Sequence, residues 1–408
     1  MTSQALIRHH RDCQSGGFLG IRITLYELGL VIWIGASIVS QTVFVSSNNE
    51  LNTLIKIVQF AGLLLALMHL FLNLRVRFNF LCIIIATGLV FASAFVSERL
   101  VLVQALIFIL AFQGLSFKNV ARLVYRTIAV VCGIIVILAL FGVIENYTFY
   151  NVDGRERICL GFTYATYIPN YLLTFTLLFG YTKATNYRLI HVILLLLLDA
   201  LVFNYSETRF VALLTAISAW AFFLLRRGIE SPQIKSVMSS GCIRYIFIIC
   251  CITSITLSAA YSPDNPILSV LDELLSTRLR LGHNGFSIWG VSLLGSPIEF
   301  TSSGWVSGQW VVSNGVINVV DSSYLRTMFF YGVGILVLLL LGLTNVMRKA
   351  QMEHDYHLVF ILAVLAVLGI IEPRLTMLDY TPFLLLLSSC FNANREYVWR
   401  SDIVYAQC

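Results

Sequence analysis

The sequence predicts an all-α polytopic membrane protein of about twelve transmembrane helices, with one large extracytoplasmic loop between the ninth and the tenth. Three observations predict it. Of the 408 residues, 58% are hydrophobic and 12% charged, a balance foreign to soluble globular domains. The apolar residues fall into runs that match a hydrocarbon core about 30 Å thick, which a helix of roughly 20 residues spans. The basic residues between those runs alternate in abundance from loop to loop, as the tendency of lysine and arginine to stay on the cytoplasmic side requires.

The twelve stretches are 26–45, 54–74, 80–96, 100–115, 124–144, 158–181, 188–204, 208–225, 245–261, 324–346, 357–371 and 375–391. The third and fourth are separated only by Ser97-Glu98-Arg99, and the eleventh and twelfth only by Glu372-Pro373-Arg374, so each junction reads as a hairpin or a broken helix. The N-terminal segment, residues 1–25, is polar and basic and lacks the short apolar core of a signal peptide, so it is expected to stay attached and cytoplasmic. With that side fixed, eighteen of the 27 lysines and arginines fall on inner segments. The outer set is Lys56, Arg99, Arg155, Arg157, Arg209, Arg278, Arg280, Arg326 and Arg374. The tail, residues 392–408, is then cytoplasmic as well.

Two outer connections exceed what a hairpin needs. Glu145 to Arg157 reads ENYTFYNVDGRER, and Ser262 to Ser323 is the large loop; long loops in compact proteins are usually functional. In the large loop, Pro263-Asp264-Asn265-Pro266 starts a helix, and Ile267, Leu268, Leu271, Leu274, Leu275 and Leu279 recur at helical spacing. Ser269, Asp272, Glu273, Ser276 and Arg280 fall on the other face, so the spacing predicts an amphipathic helix on the membrane surface that ends at Arg278 and Arg280. Thr301 to Val320, with its glycines and alternating Trp and Val, predicts a short strand pair or an irregular flap.

Several chemistries are excluded. The net charge of +6 is scattered, not gathered into the patch that nucleic acid demands. No Walker loop, dinucleotide fingerprint or HExxH motif occurs, no metal-ligand cluster is legible, and no cofactor is implied. The nine cysteines show no paired spacing, and only Cys159 approaches the outer face, so no structural disulfide is expected. The inner loops are too short for a domain that binds nucleotide sugars.

The informative residues are arginines on the outer face, where the charge bias disfavours them and desolvation is costly. Arg155 and Arg157 precede the sixth stretch, Arg209 opens the eighth, and Arg278 and Arg280 belong to the large loop. A guanidinium presents a planar fork that matches phosphate oxygens. Each also has a plainer role, snorkelling or pairing with a neighbour, as Glu207 could do for Arg209. Asp321, in VVDSSYLRTMFFYG, is placed either to cap the tenth helix or to take a proton from a sugar hydroxyl. His283 is the one outward imidazole and the rival base. Asp199 lies inside the seventh stretch, where a contact to a neighbouring helix or to an outer arginine is expected. In GFTYATYIPN, Asn170 and the tyrosines place polar groups in the sixth stretch, and Pro169 can kink it.

On these residues the chain resembles the O-antigen and capsule polysaccharide polymerases and the related O-antigen ligases. The matching features are R-I-C-L-G-F-x6-P-N from Arg157 to Asn170, Y-S-E-T-R ending at Arg209, L-S-T-R-L-R across Arg278 and Arg280, and D-S-S-Y-L from Asp321 with a glycine at 332. The resemblance implies a fold like that of the GT-C-type glycosyltransferases. It also implies inverting, metal-independent transfer between polyprenyl-pyrophosphate-linked oligosaccharides on the outer leaflet of the cytoplasmic membrane, with a chain-length regulator as a partner. By similarity Arg209, and Arg278 or Arg280, engage pyrophosphate, and Arg155, Arg157, Asn170, Tyr324 and His283 bind substrate. Asp321 stands where ligases and many polymerases carry histidine, which favours polymerase over ligase and leaves the base open between Asp321 and His283. A lipid-linked oligosaccharide flippase is the reading from another class; it calls for repeated halves and midplane charges, which the sequence does not show.

Overall fold

The computed structural model describes residues 24–73, 80–150, 156–228, 231–299, 304–306, 309–311 and 319–391. Arg155, most of the N-terminal segment and the tail from 392 lie outside the described residues. The chain is mostly helical, and among the described residues the only sheets are two short antiparallel ribbons. Five helices are long and apolar enough to cross a membrane: α3 (Asn49–Leu72), α6 (Phe117–Leu140), α8 (Leu189–Ser206), α9 (Arg209–Gly228) and α15 (Ser323–Met352). Shorter apolar helices accompany them: α1 (Leu25–Ser40), α4 (Phe80–Ser97), α5 (Val101–Ala111), α12 (Ile246–Ala259) and α16 (Tyr356–Ile371). The helix α7 (Tyr167–Lys183) is almost wholly buried among them.

The packing is inverted relative to a soluble bundle. Phe60, Phe71, Leu81, Phe95, Leu140, Leu197, Leu224 and Leu341 are exposed on the flanks, while Glu372, Arg374, Asp379, Asp199 and Asn170 are buried. Apolar surface on this scale is the mark of a chain whose solvent is lipid.

Local sequence explains where the helices start and stop. Thr24 and Glu27 form a reciprocal capping box at the start of α1, with Thr24 N–H donating to Glu27 Oε2 at 2.9 Å. Helices α1 and α3 cross at two glycines. A Cβ on Gly29 would stand 2.6 Å from the Gly62 carbonyl, and the reverse holds at 2.6 Å for Gly62. Small residues let the backbones touch where lipid supplies no hydrophobic drive for helix association.

Three sequence expectations are corrected. The sixth helix begins at Tyr167, not at 158. The segment before it forms the ribbon of β1 (Thr148–Tyr150) and β2 (Glu156–Ile158), so Arg157 sits on a strand, and Pro169 lies in the first turn of α7, where its missing N–H costs nothing. The amphipathic helix of the large loop is two helices, α13 (Pro266–Leu274) and α14 (Arg278–Trp289), separated by Ser276 and Thr277 at φ 55° and 66°. Arg278 therefore opens the second helix. On α13 Ile267, Val270 and Leu274 are exposed alongside Ser269 and Glu273, while Asp272 is buried. The third correction falls on 375–391. The backbone turns from Glu372 to Thr381, passes through a 3-10 helix (Pro382–Leu387) and ends in a single helical turn, α17 (Ser388–Phe391). Pro373 and Pro382 forbid a continuous helix, and the irregular backbone survives because it is buried in protein.

The strand pair expected between 301 and 320 is present as β3 (Gly304–Val306) against β4 (Gln309–Val311), with Trp305 opposite Trp310; residues 301–303, 307–308 and 312–318 lie outside the described residues. Helix α15 is broken at Gly332, whose backbone is not helical (φ 90°). The freed N–H groups of Val333 and Gly334 donate instead to Ser292 and Leu293 carbonyls at 3.0 and 3.1 Å.

Candidate functional site

The described outer-set arginines from Arg99 to Arg374 gather at one end of the bundle, although five different connections deliver them. The centre of the group is a carboxylate that no motif pointed to. Glu372, at the C-terminal end of α16, is 4% exposed and lies 3.8 Å from Arg278 Nη2 and 3.0 Å from Arg374 Nη1. Asn170 Nδ2 donates to the same Oε2 at 3.1 Å. Burial pushes the Glu372 carboxyl up, while Arg374 and Arg278 pull it back. Its carbonyl accepts from Ser323 Oγ, and Ser323 in turn accepts from the Leu375 amide at 2.9 Å, which ties α15 to the turn segment.

Arg278 bridges the two acids. Its Nε is 3.9 Å from Asp321 Oδ2 and donates to the Ile371 carbonyl at 2.8 Å, its Nη1 donates to Leu275 O at 3.0 Å, and its guanidinium lies 5.8 Å from the Phe210 ring. Asp321 is not a cap: Ser322 occupies that position and makes no side-chain cap bond. The Asp321 side chain is 38% exposed against 16% for Arg278 and 5% for Glu372. It is therefore the acid in the group that solvent and a ligand can reach.

Arg374 donates to Thr166 Oγ1 at 2.8 Å and lies 4.8 Å from the centres of both the Tyr167 and Tyr380 rings. Behind it, Tyr380 stacks on Tyr171 at 4.3 Å, and Asp379 accepts from Tyr171 and Gln41 at 2.9 Å each. Arg157 donates to Ser206 O at 2.8 Å and to Thr208 Oγ1 at 3.2 Å. Burial lowers the Arg157 pKa, against the opposing pull of Tyr164, Cys159 and the Glu372 and Glu207 carboxyls. Tyr164 is raised, first by burial and then by the Asp321 charge, with Arg157 pulling the other way.

The other expected residues fall outside this group. Arg209 is exposed at the first position of α9, although its neighbour Phe210 touches Arg278. Arg280 is exposed, its backbone N–H donating to Asp272 at 3.0 Å. His283 is half-buried in α14, with Nδ1 3.3 Å from the Ser258 carbonyl, and is not a water-bathed loop residue. Tyr324 is 1% exposed and its hydroxyl is spent on Ala366 O at 2.8 Å, so it packs α15 against α16. Asp199 is buried on the face of α8 that Val192, Leu195 and Val202 share, which is a helix-packing position.

The sequence reading missed Glu372 and Arg374 as site residues and kept Arg99 and Arg326 only in its charge census. The signal was present: all three arginines belong to the outward set that defies the charge bias. An apolar groove of about 450 Å³ lies between α6, α7 and α8 and is lined among others by Leu140, Leu160, Ile168, Tyr171, Leu201 and Tyr205. No family model, curated protein or solved structure matches this chain. The class that fold and site define is thus a helical, lipid-facing protein with a buried arginine–carboxylate network at one end.

Proposed function

We propose that this chain is a polysaccharide polymerase: an inverting, metal-independent glycosyltransferase that joins polyprenyl-pyrophosphate-linked repeat units on the outer face of the cytoplasmic membrane. In this reading the helices make about twelve crossings with both termini inside, and the arginine-bearing end faces outward. The observation that carries it is the convergence of Arg278 and Arg374 on Glu372, at the end of the bundle that also holds Arg157, together with an apolar groove between α6, α7 and α8. A ligand with a long hydrocarbon chain and a diphosphate head fits that pairing of surfaces.

The chemistry follows from the geometry. The acceptor hydroxyl oxygen attacks the anomeric carbon of the growing chain, and the bond from that carbon to the diphosphate oxygen breaks. The hydroxyl proton passes to Asp321, the accessible carboxylate. Negative charge builds on the departing diphosphate, where the guanidinium groups, fixed in advance by Glu372, Thr166 and Ser206, meet it. Donors held in place this way contribute on the order of 3 kcal/mol each. Glu372 holds the arginines and does not itself turn over protons, since Arg374, Arg278 and Asn170 occupy its oxygens.

The test is reconstitution with purified lipid-linked repeat units. A ladder of lengthening products on the lipid supports polymerisation. Transfer to a different glycolipid core makes the chain a ligase, and movement of the lipid without a new glycosidic bond makes it a flippase.

A further inference from the structure

The flank formed by α4, α5, α15 and α17 takes no part in the chemistry around Glu372. An apolar groove of about 380 Å³ runs along it, and Ile85 and Leu341, which line it, are exposed, so it opens sideways to the surrounding lipid. On α15 its wall extends from Ile335 to Asn345, roughly 15 Å at 1.5 Å per residue. That is about half of a hydrocarbon core 30 Å thick, the depth of one leaflet. Helix α15 begins at Ser323, which is bonded to the Glu372 carbonyl, and the groove runs toward its far end at Met352.

The same helix carries the groove wall onward into two cations. Residues seven apart share a helix face, so Lys349 continues the line of Gly342, and Arg348 the line of Leu341, the residue at which the groove opens. Direct contact fixes the first of these placements. Lys349 Nζ donates to the Ser389 carbonyl at 2.5 Å, and the next two residues, Cys390 and Phe391, line the groove. Asn345, also on the wall, donates through Nδ2 to Cys390 Sγ at 3.3 Å, which holds α17 against α15 at this level. Arg348 is exposed. Among the described residues no acid lines the groove.

We propose that this groove binds an anionic phospholipid of the bilayer, with one acyl chain along α15 between α4 and α5 and the headgroup phosphate at Arg348 and Lys349. The site belongs to the leaflet opposite the Glu372 network, which is the cytoplasmic one in the orientation proposed above, and it does not depend on what the other end of the molecule does. Three observations select the occupant. The walls are apolar and one leaflet deep, which suits an acyl chain. The end of the groove is cationic, and basic side chains beside grooves between helices on the cytoplasmic side recruit anionic headgroups; a guanidinium also matches phosphate oxygens in its planar fork. The cations stand at the end of α15 remote from Asp321, so the headgroup bound there is that of a structural lipid and not of a reacting one.

The test uses the full chain in detergent with phosphatidylglycerol that carries a diazirine on one acyl chain, photolysed and mapped by peptide mass spectrometry. Adducts are expected on the groove-lining stretches 82–90, 102–109 and 335–345. Unlabelled phosphatidylglycerol is expected to displace the probe at a concentration about tenfold or more below that of phosphatidylcholine, and Arg348→Gln to narrow that preference by about fivefold. Arg348→Gln with Lys349→Gln is expected to abolish the preference, and Ala105→Trp, which fills the groove, to abolish the adducts there. Adducts spread evenly over the exposed flanks of α3 and α8 overturn the proposal, as does displacement by phosphatidylcholine as effective as by phosphatidylglycerol. Undecaprenyl diphosphate displacing the probe better than phosphatidylglycerol also overturns it, by giving the groove to the other lipid. Should Ala105→Trp or the double variant not elute as a single species, Arg348→Gln decides, and an unchanged preference counts against the proposal.

Discussion

Glu372 sets the positions of two guanidiniums, and its worth lies in what its removal leaves behind. A buried carboxylate that holds two arginines cannot be deleted without stranding their charge, and breaking such a group costs about 3–5 kcal/mol. Glu372→Ala is accordingly expected to lose that much stability, seen as a lower thermal midpoint in detergent and as weakened diphosphate binding. Asp321→Asn should behave differently, because Asp321 is partly exposed and meets the network only through Arg278 at 3.9 Å. The substitution is expected to leave the thermal midpoint within about 0.5 kcal/mol of equivalent stability and to slow polymer formation by roughly 10²–10⁴-fold. His283→Ala is the matched control. If His283→Ala abolishes product and Asp321→Asn does not, the base is the imidazole.

At the level of helices, close approach and open space give opposite expectations for the same kind of change. Gly62→Leu drives a side chain into the α1 backbone at Gly29, and overpacking of this sort costs about 1–3 kcal/mol. Gly133, in α6, has nothing within 4 Å of a built Cβ, so Gly133→Ala is expected to be neutral or to stabilise by up to about 1 kcal/mol. Gly332 is the sharper case. It combines φ 90° with a Cβ direction that runs into the Leu293 carbonyl, and the break it permits lets Val333 and Gly334 bond the 292–293 backbone. Gly332→Ala is expected to fail as a folded protein at growth temperature, measured as loss of monodisperse material after detergent extraction. The glycine that the sequence resemblance placed after D-S-S-Y-L thus has a physical reason at the backbone.

For the molecule as a whole, the charge census and the packing meet in one expectation. Arg99, Arg157, Arg209, Arg278, Arg326 and Arg374 lie at one end, while Arg226, Arg244 and Lys349 bond the Tyr187 carbonyl, the Gln351 side chain and the Ser389 carbonyl at the other. A thiol reagent that does not cross membranes should therefore modify Asp264→Cys in intact cells, and should reach the native Cys242, exposed on the short turn Gly241–Arg244, only after the membrane is opened. Labelling of both from outside would end the assignment of inner and outer ends.

What the sequence determined by itself was composition-driven. Hydropathy placed α1, α3 to α6, α8, α9, α12, α15 and α16 to within several residues, because a run of apolar side chains facing lipid leaves the backbone little alternative to helix. It picked out the arginines of the expected outer set, whose described members fall at one end of the bundle, and it marked Asp321 by its place before α15. It failed where backbone and partner decide. Nothing local in PRLTMLDYTPFLLLL, apart from the hint of Pro373 and Pro382, announces that 375–391 avoids the helix, and burial of the irregular turns is what makes them tolerable. Nor could spacing show that Ser276 and Thr277 turn left-handed and move Arg278 from the end of one helix to the start of another. Glu372 joined Arg278, and Tyr324 turned into the core, through contacts between residues scores of positions apart. Pairings of that range are settled by tertiary packing, because a buried charge finds whichever partner the fold brings within reach, and the sequence does not order those partners in space.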